Sequence, residues 1–176
     1  MDSRSGYRLP CLLVFGEGVF SGRWWYGNFE TGYTGNRFVN DGNTGQGANK
    51  SAAFNFGAIA GGSYNVAIWY PADARNATDV PVDILTVSGT VTVLVNEQAG
   101  GGGWLNLGNY TLGNSATVTI RDLAANGLVV ADAVQLTPTP SIVSSVFVAG
   151  AAVPALRAGD ITVSLLQGSD GSVLQS

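Results

Sequence analysis

Trp24, Trp25, Tyr26 and Tyr33 fall in one Gly- and Asn-rich stretch running from about Ser21 to Ser51. Flat rings stack on the C–H faces of sugars, and planar polar groups such as those of Arg75 and Asn76 hold hydroxyls. These six residues are the candidate glycan-contacting set. Trp24 and Trp25 are adjacent, so in an extended segment they face opposite ways and at most one is exposed. For each loop ring, ligand contact and core packing both remain open. Trp69 stands opposite the strand face shared by Tyr64, Val66, Ile68 and Tyr70, and it reads as packing. Trp104, after the run Gly100 to Gly103, reads the same way.

Catalytic chemistry has little to work with. The chain holds no histidine, which removes Ser-His-Asp and Cys-His arrangements and most transition-metal sites. Cys11 is the sole cysteine and reads as a buried apolar residue, with no base to activate it. Glu17, Glu30 and Glu97 are the only glutamates, and none pairs recognisably with an aspartate as glycoside hydrolysis requires. No catalytic residue is assigned and no cofactor is expected. Calcium is the one metal whose hard oxygen ligands the chain offers, from Asp73, Asp79 and Asp132, but their spacing matches no loop signature. Asp132 sits inside the apolar run Leu128 to Leu136, where a carboxylate must be partnered. It is predicted to be a structural clip, held by Arg75 or by backbone amides between Arg75 and Asp79.

Charge narrows the partners. Only 11% of residues are charged, the net charge is −4, and the basic residues are scattered from Arg4 to Arg157. Neutralising phosphates needs clustered Lys and Arg, so nucleic acid is not an expected partner. No run approaches the roughly 20 apolar residues that cross a bilayer as a helix. The stretch Leu9 to Phe15 contains a proline and is followed by Glu17, which argues for a strand or docking arm over a signal peptide.

The elements that must position these residues are strands. Ala53–Phe56, Tyr64–Tyr70, Val80–Val87, Thr90–Val95, Trp104–Leu107, Ala116–Ile120 and Leu128–Leu136 are short, rich in β-branched and aromatic residues and mostly of period two, and Gly, Ser and Asn separate them. The Ser88-Gly89 link predicts a tight hairpin, and Gly100 to Gly103 a flexible hairpin tip. Thr137-Pro138-Thr139-Pro140 reads as a stiff spacer. Beyond it lie a β-like stretch, Ser145 to Ala149, and a hairpin of Ile161–Leu166 against Ser172–Leu174. The expected organisation is an N-terminal arm or strand over 1–19, a sandwich over 20–136, the linker 137–140, and a small β-rich extension over 141–176. The two flanking segments are too short to fold alone and are expected to contact other subunits, in a homo-oligomer or a larger particle.

Residues 20–136 resemble the C-terminal module of golvesin and of xanthan lyase-type proteins. The matching blocks are Gly62–Pro71, Arg75–Val82, Gly89–Val93, Val95–Gln98, Gly102–Tyr110 and Val129–Val134. The resemblance implies a jelly-roll-like antiparallel β-sandwich, all-β, carried by secreted or surface proteins. The function expected is a non-catalytic surface-binding module for polysaccharide or cell-surface glycan, displayed outside the cell or on a virion. The alternative is a purely structural assembly protein such as a phage decoration or fibre subunit.

Overall fold

The computed structural model describes residues 12–15 (as backbone), 18–43 and 49–140. Cys11, most of the predicted arm over 1–19 and the whole extension over 141–176, with its predicted hairpin, lie outside the described residues. Among the described residues twelve strands follow one another: β1 (Leu12–Phe15), β2 (Val19–Ser21), β3 (Trp25–Gly27), β4 (Phe38–Asn40), β5 (Ser51–Ala58), β6 (Gly62–Trp69), β7 (Val80–Thr86), β8 (Gly89–Val95), β9 (Trp104–Leu112), β10 (Ser115–Arg121), β11 (Val130–Ala131) and β12 (Ala133–Pro138).

Period-two patterning builds two facing layers. One sheet has the order β1-β12-β6-β9 and the other β2-β5-β10-β7-β8, with antiparallel pairing throughout. The first sheet turns Tyr64, Val66, Ile68, Val134 and Leu136 inward. Phe54, Val82, Ile84, Val118 and Ile120 of the second join them in one buried core. Each such side chain contributes about 1.5–3 kcal/mol on burial, which makes the alternation decisive for register. The all-β sandwich expected from the sequence is the fold observed. β1, within the segment expected as an N-terminal arm or strand, and β2, at the boundary of that segment with the expected sandwich, are edge strands of the two layers.

The stretch from Ser21 to Ser51 is less loop-like than its composition implies. It contributes β3 and β4, which join β11 in a third small sheet of order β11-β4-β3. Three other expectations shift. The β7–β8 turn falls on Val87-Ser88, one residue before the predicted link, because Thr86 already pairs with Gly89 and its hydroxyl bonds the Gly89 carbonyl. Gly100 to Gly103 is not a hairpin tip. It crosses from β8 in one sheet to β9 in the other, and the Gly102 amide donates to Tyr70 O at 2.8 Å. The predicted Thr/Pro spacer is largely strand: Thr137 and Pro138 pair with Asn65 and Tyr64, and the Thr139 amide donates to Ser63 O. Proline is tolerated there because the strand is ending.

Candidate functional site

Low charge makes every buried carboxylate conspicuous, and several tie loops to the sandwich through backbone amides. Asp132 Oδ2 accepts from Thr34 N at 2.6 Å. Asp41 Oδ1 accepts from Val129 N, Glu97 Oε2 from Val130 N, and Asp122 Oδ1 from Lys50 N. Burial raises the pKa of Asp132 to about 6, opposed by the Thr34 amide. Burial also pushes Glu97 well above the usual carboxylate range, with Glu30 adding to the effect. Asp132 therefore bonds neither of the partners expected for it, Arg75 or the amides between Arg75 and Asp79. Arg75 binds Asp73 bidentately at 2.7 and 3.1 Å and approaches Glu30 at 3.8 Å, leaving Asp132 to the Thr34 amide. Asp79 accepts from the Asn126 amide. The three aspartates weighed as calcium ligands thus serve separate partners, and no cluster of three metal-binding side chains exists among the described residues.

The predicted sugar-contacting set is dispersed. Trp24 is half-buried against the core, with Nε1 donating to Ser21 O at 3.3 Å and its ring 6.1 Å from Phe20. Tyr33 is likewise half-buried, 5.9 Å from Phe38. Trp25 and Tyr26, on opposite sides of β3, remain exposed at 37% and 59%. Arg75 is exposed but already committed to carboxylates. Asn76 is a correction: it is 1% exposed, and its amide nitrogen reaches Glu30 Oε2, Pro71 O and Glu97 O. A side chain so enclosed holds loops and has no access to a ligand.

Two tryptophans read from the sequence as packing stand elsewhere. Trp69 and Trp104 are directly paired across β6 and β9, with ring centroids 5.4 Å apart and planes at 84°. They alternate with the inward residues, lie outside the core cluster, and Trp104 is 37% exposed. The Trp69 Nε1 donates to Gly32 O at 2.7 Å, so the loop before β4 fixes that ring. Gly32 and Gly102 meet there, where a side chain on Gly32 would come within 3.0 Å of Gly102 Cα. Further along the same strands Asn65 Nδ2 bridges Asn106 Oδ1 at 2.9 Å and Asn109 Oδ1 at 3.1 Å. Both of those asparagines are exposed. A fixed aromatic pair beside a row of planar amides is what stacking on a sugar ring and holding its hydroxyls requires. An open cleft of about 400 Å³ lies between β8 and β9, lined by Tyr70, Leu94, Leu105 and Leu107 among others. Its walls are mostly apolar and suit a saccharide less well.

The sequence carried a partial signal for this face, since Trp69 falls in the outward register of β6. The asparagine row was hidden because Gly108 and a register shift at Val66/Ala67 interrupt the alternation of β9.

Comparison with known proteins agrees with this architecture. The profile of the Golvesin C-terminal domain matches residues 15–138. Xanthan lyase of Bacillus sp. (strain GL1) is 36% identical over 120 residues, which are 65% of this chain and 13% of that protein. The solved structure of Paenibacillus xanthan lyase superposes with a TM-score of 0.69 at 38% identity, over 74% of this chain and 13% of the lyase. A family 35 carbohydrate binding module from Clostridium thermocellum shares the fold at a TM-score of 0.50 and 14% identity, over 74% of this chain and 99% of that module. The matched part of the chain thus spans a small part of each lyase and nearly the whole of the solved carbohydrate binding module.

Proposed function

The chain belongs to the Golvesin C-terminal domain family, and from that premise we propose that its sandwich is a non-catalytic module that holds polysaccharide outside the cell. The observation that carries the reading is the outward Trp69–Trp104 pair beside Asn65, Asn106 and Asn109. Trp104 supplies the accessible ring, Trp69 fixes it edge-on, and the amides meet hydroxyls. The lyases that resemble this chain carry such a sandwich within a much longer protein, which favours tethering to a polymer over acting on it. The assembly-protein alternative has no comparable support, because its motivating segments, 1–19 and 141–176, lie mostly outside the described residues.

Affinity electrophoresis of the full chain through gels containing xanthan, dextran or galactomannan tests the reading. Retention by at least one polymer is expected. Trp104→Ala should weaken it about tenfold or more, the ~1.4 kcal/mol scale of one stacked ring. Mobility unchanged in every gel would sink the proposal.

A further inference from the structure

The five described basic residues divide sharply by partner. Arg75 is held by Asp73, Arg121 reaches Asp83 at 2.6 Å, and Lys50 is buried with its ammonium donating to Asp41 O. Arg23 and Arg37 are exposed, and among the described residues no carboxylate lies within ion-pair distance of either. Each rests on a ring; Lys50 Nζ, 4.6 Å from the Trp25 centroid, and Arg75, 5.2 Å from that of Phe29, also approach rings but are tied to oxygen partners. The Arg37 guanidinium carbon sits 3.7 Å from the Tyr26 ring centroid, and that of Arg23 lies 5.1 Å from the Trp25 centroid.

We propose that the outer edge of β3 is an anion-binding site for the carboxylates or sulfates of an acidic polysaccharide. The polymeric part rests on the polysaccharide reading above; the charge preference rests on the two arginines. A guanidinium stacked on an aromatic ring is covered on one face, while its in-plane N–H donors still point outward. That leaves the fork that grips a carboxylate bidentately, with less side-chain freedom to lose on binding. β3 is the edge of its sheet. In its antiparallel register Trp25 pairs with Asn40 and Gly27 with Phe38, so Arg23 precedes one end of the ladder and Arg37 the other. The rings they rest on belong to adjacent residues, Trp25 and Tyr26, which face opposite sides of β3, so the two guanidiniums flank the edge strand from its two faces. One small anion meets one of them; a charged polymer that crosses the exposed edge of β3 reaches both. Repulsion from the net charge of −4 is spread over the whole molecule, and physiological salt screens it beyond ~8 Å while leaving contact pairs.

The test uses the full chain in matched gels: polygalacturonate against its fully methyl-esterified form, and dextran sulfate against dextran. Each pair keeps the backbone and removes the charge. Retention is expected on the charged member, and the double variant Arg23→Ala/Arg37→Ala should weaken it at least tenfold. Arg37→Lys should restore only part, because it keeps the charge and loses the fork. Melting temperatures should stay within about 2 °C of the parent, as for surface changes generally. Retention on polygalacturonate alone identifies carboxylate as the anion, and on dextran sulfate alone identifies sulfate. Equal retention on charged and uncharged members, or indifference to the double variant, overturns the proposal. Binding to neutral polymer that depends on Trp104 but not on the arginines leaves the polysaccharide reading standing without this one. Charge-dependent retention that ignores Trp104→Ala does the reverse for the Trp69–Trp104 face. No retention in any gel overturns both.

Discussion

Asp132, Asp41, Glu97 and Asp122 each spend a buried carboxylate on a backbone amide, and three of the contacts cluster on the segment from Val129 to Asp132. Such groups make stability depend on pH. Asp132 has its folded pKa raised from 3.8 to about 6, so the folded state binds the proton more tightly. Its contribution is greatest below about pH 4 and falls as pH rises through that window, by on the order of 3 kcal/mol. Glu97, Glu30 and Asp122 are raised too and act in the same direction. Asp73 acts oppositely: Arg75 lowers it to about 2, and the stability it lends is lost as pH falls from about 4 towards 2. Thermal melts from pH 3 to 8 should show greatest stability near pH 4–5. Asp132→Asn, which keeps an acceptor for Thr34, should flatten the alkaline limb. A melting temperature that rises from pH 5 to pH 7 would contradict this assignment. At Glu97 two substitutions separate charge from hydrogen bonding. Glu97→Gln retains an acceptor for Val130 and should change stability by less than about 1 kcal/mol, whereas Glu97→Ala orphans that amide and should cost about 1–3 kcal/mol in urea unfolding.

At the scale of elements, the connection from β8 to β9 shows why some positions tolerate only glycine. A Cβ on Gly101 would lie 2.5 Å from Ala72 N and 2.6 Å from Tyr70 O, both backbone atoms that cannot swing aside. Gly101→Ala should therefore destabilise by about 1–3 kcal/mol, read from urea midpoints. It should also weaken polysaccharide retention, because the displaced arch leads directly into Trp104. Unchanged stability would mean the arch is looser than its contacts imply. This arch also marks the limit of what the sequence shows. β10 is legible because Val118 and Ile120 alternate with threonines, and β6 because Tyr64, Val66 and Ile68 recur at every second position in a run rich in β-branched and aromatic residues. A four-glycine run has no side chains to alternate, so a crossing between layers and a hairpin tip look alike. That Asp132 needs a partner was legible, because a carboxylate in an apolar run demands one. That partner, the Thr34 amide 98 positions away, is a backbone group and leaves no trace in residue type. Trp69 was legible as lying on the strand face opposite Tyr64, Val66 and Ile68 and read as packing; whether that face is covered depends on the loop that places Gly32 O against its indole.

The whole molecule uses its few charges sparingly, and that bears on whether it does chemistry. Each of the eight described acids has a partner. Glu30 takes Asn76, Asp73 takes Arg75, Asp79 takes the Asn126 amide, Asp83 takes Arg121 and Thr92, and the other four hold backbone amides. A general acid and a general base must be free to exchange protons with a substrate, and carboxylates tied to amides in the interior are poorly placed for that. Among the described residues the accessible surface also presents rings, amides and the arginines over Trp25 and Tyr26, groups suited to binding. Prolonged incubation of the protein with any polymer that retains it should therefore release no new reducing ends and no unsaturated products, and should leave solution viscosity unchanged. Excess EDTA should not alter retention, since the binding groups proposed are aromatic, amide and guanidinium. A fall in viscosity that tracks protein concentration, and that disappears on replacing one of these carboxylates, would make the module an enzyme. Loss of retention in EDTA, restored by calcium, would place a metal at the binding face.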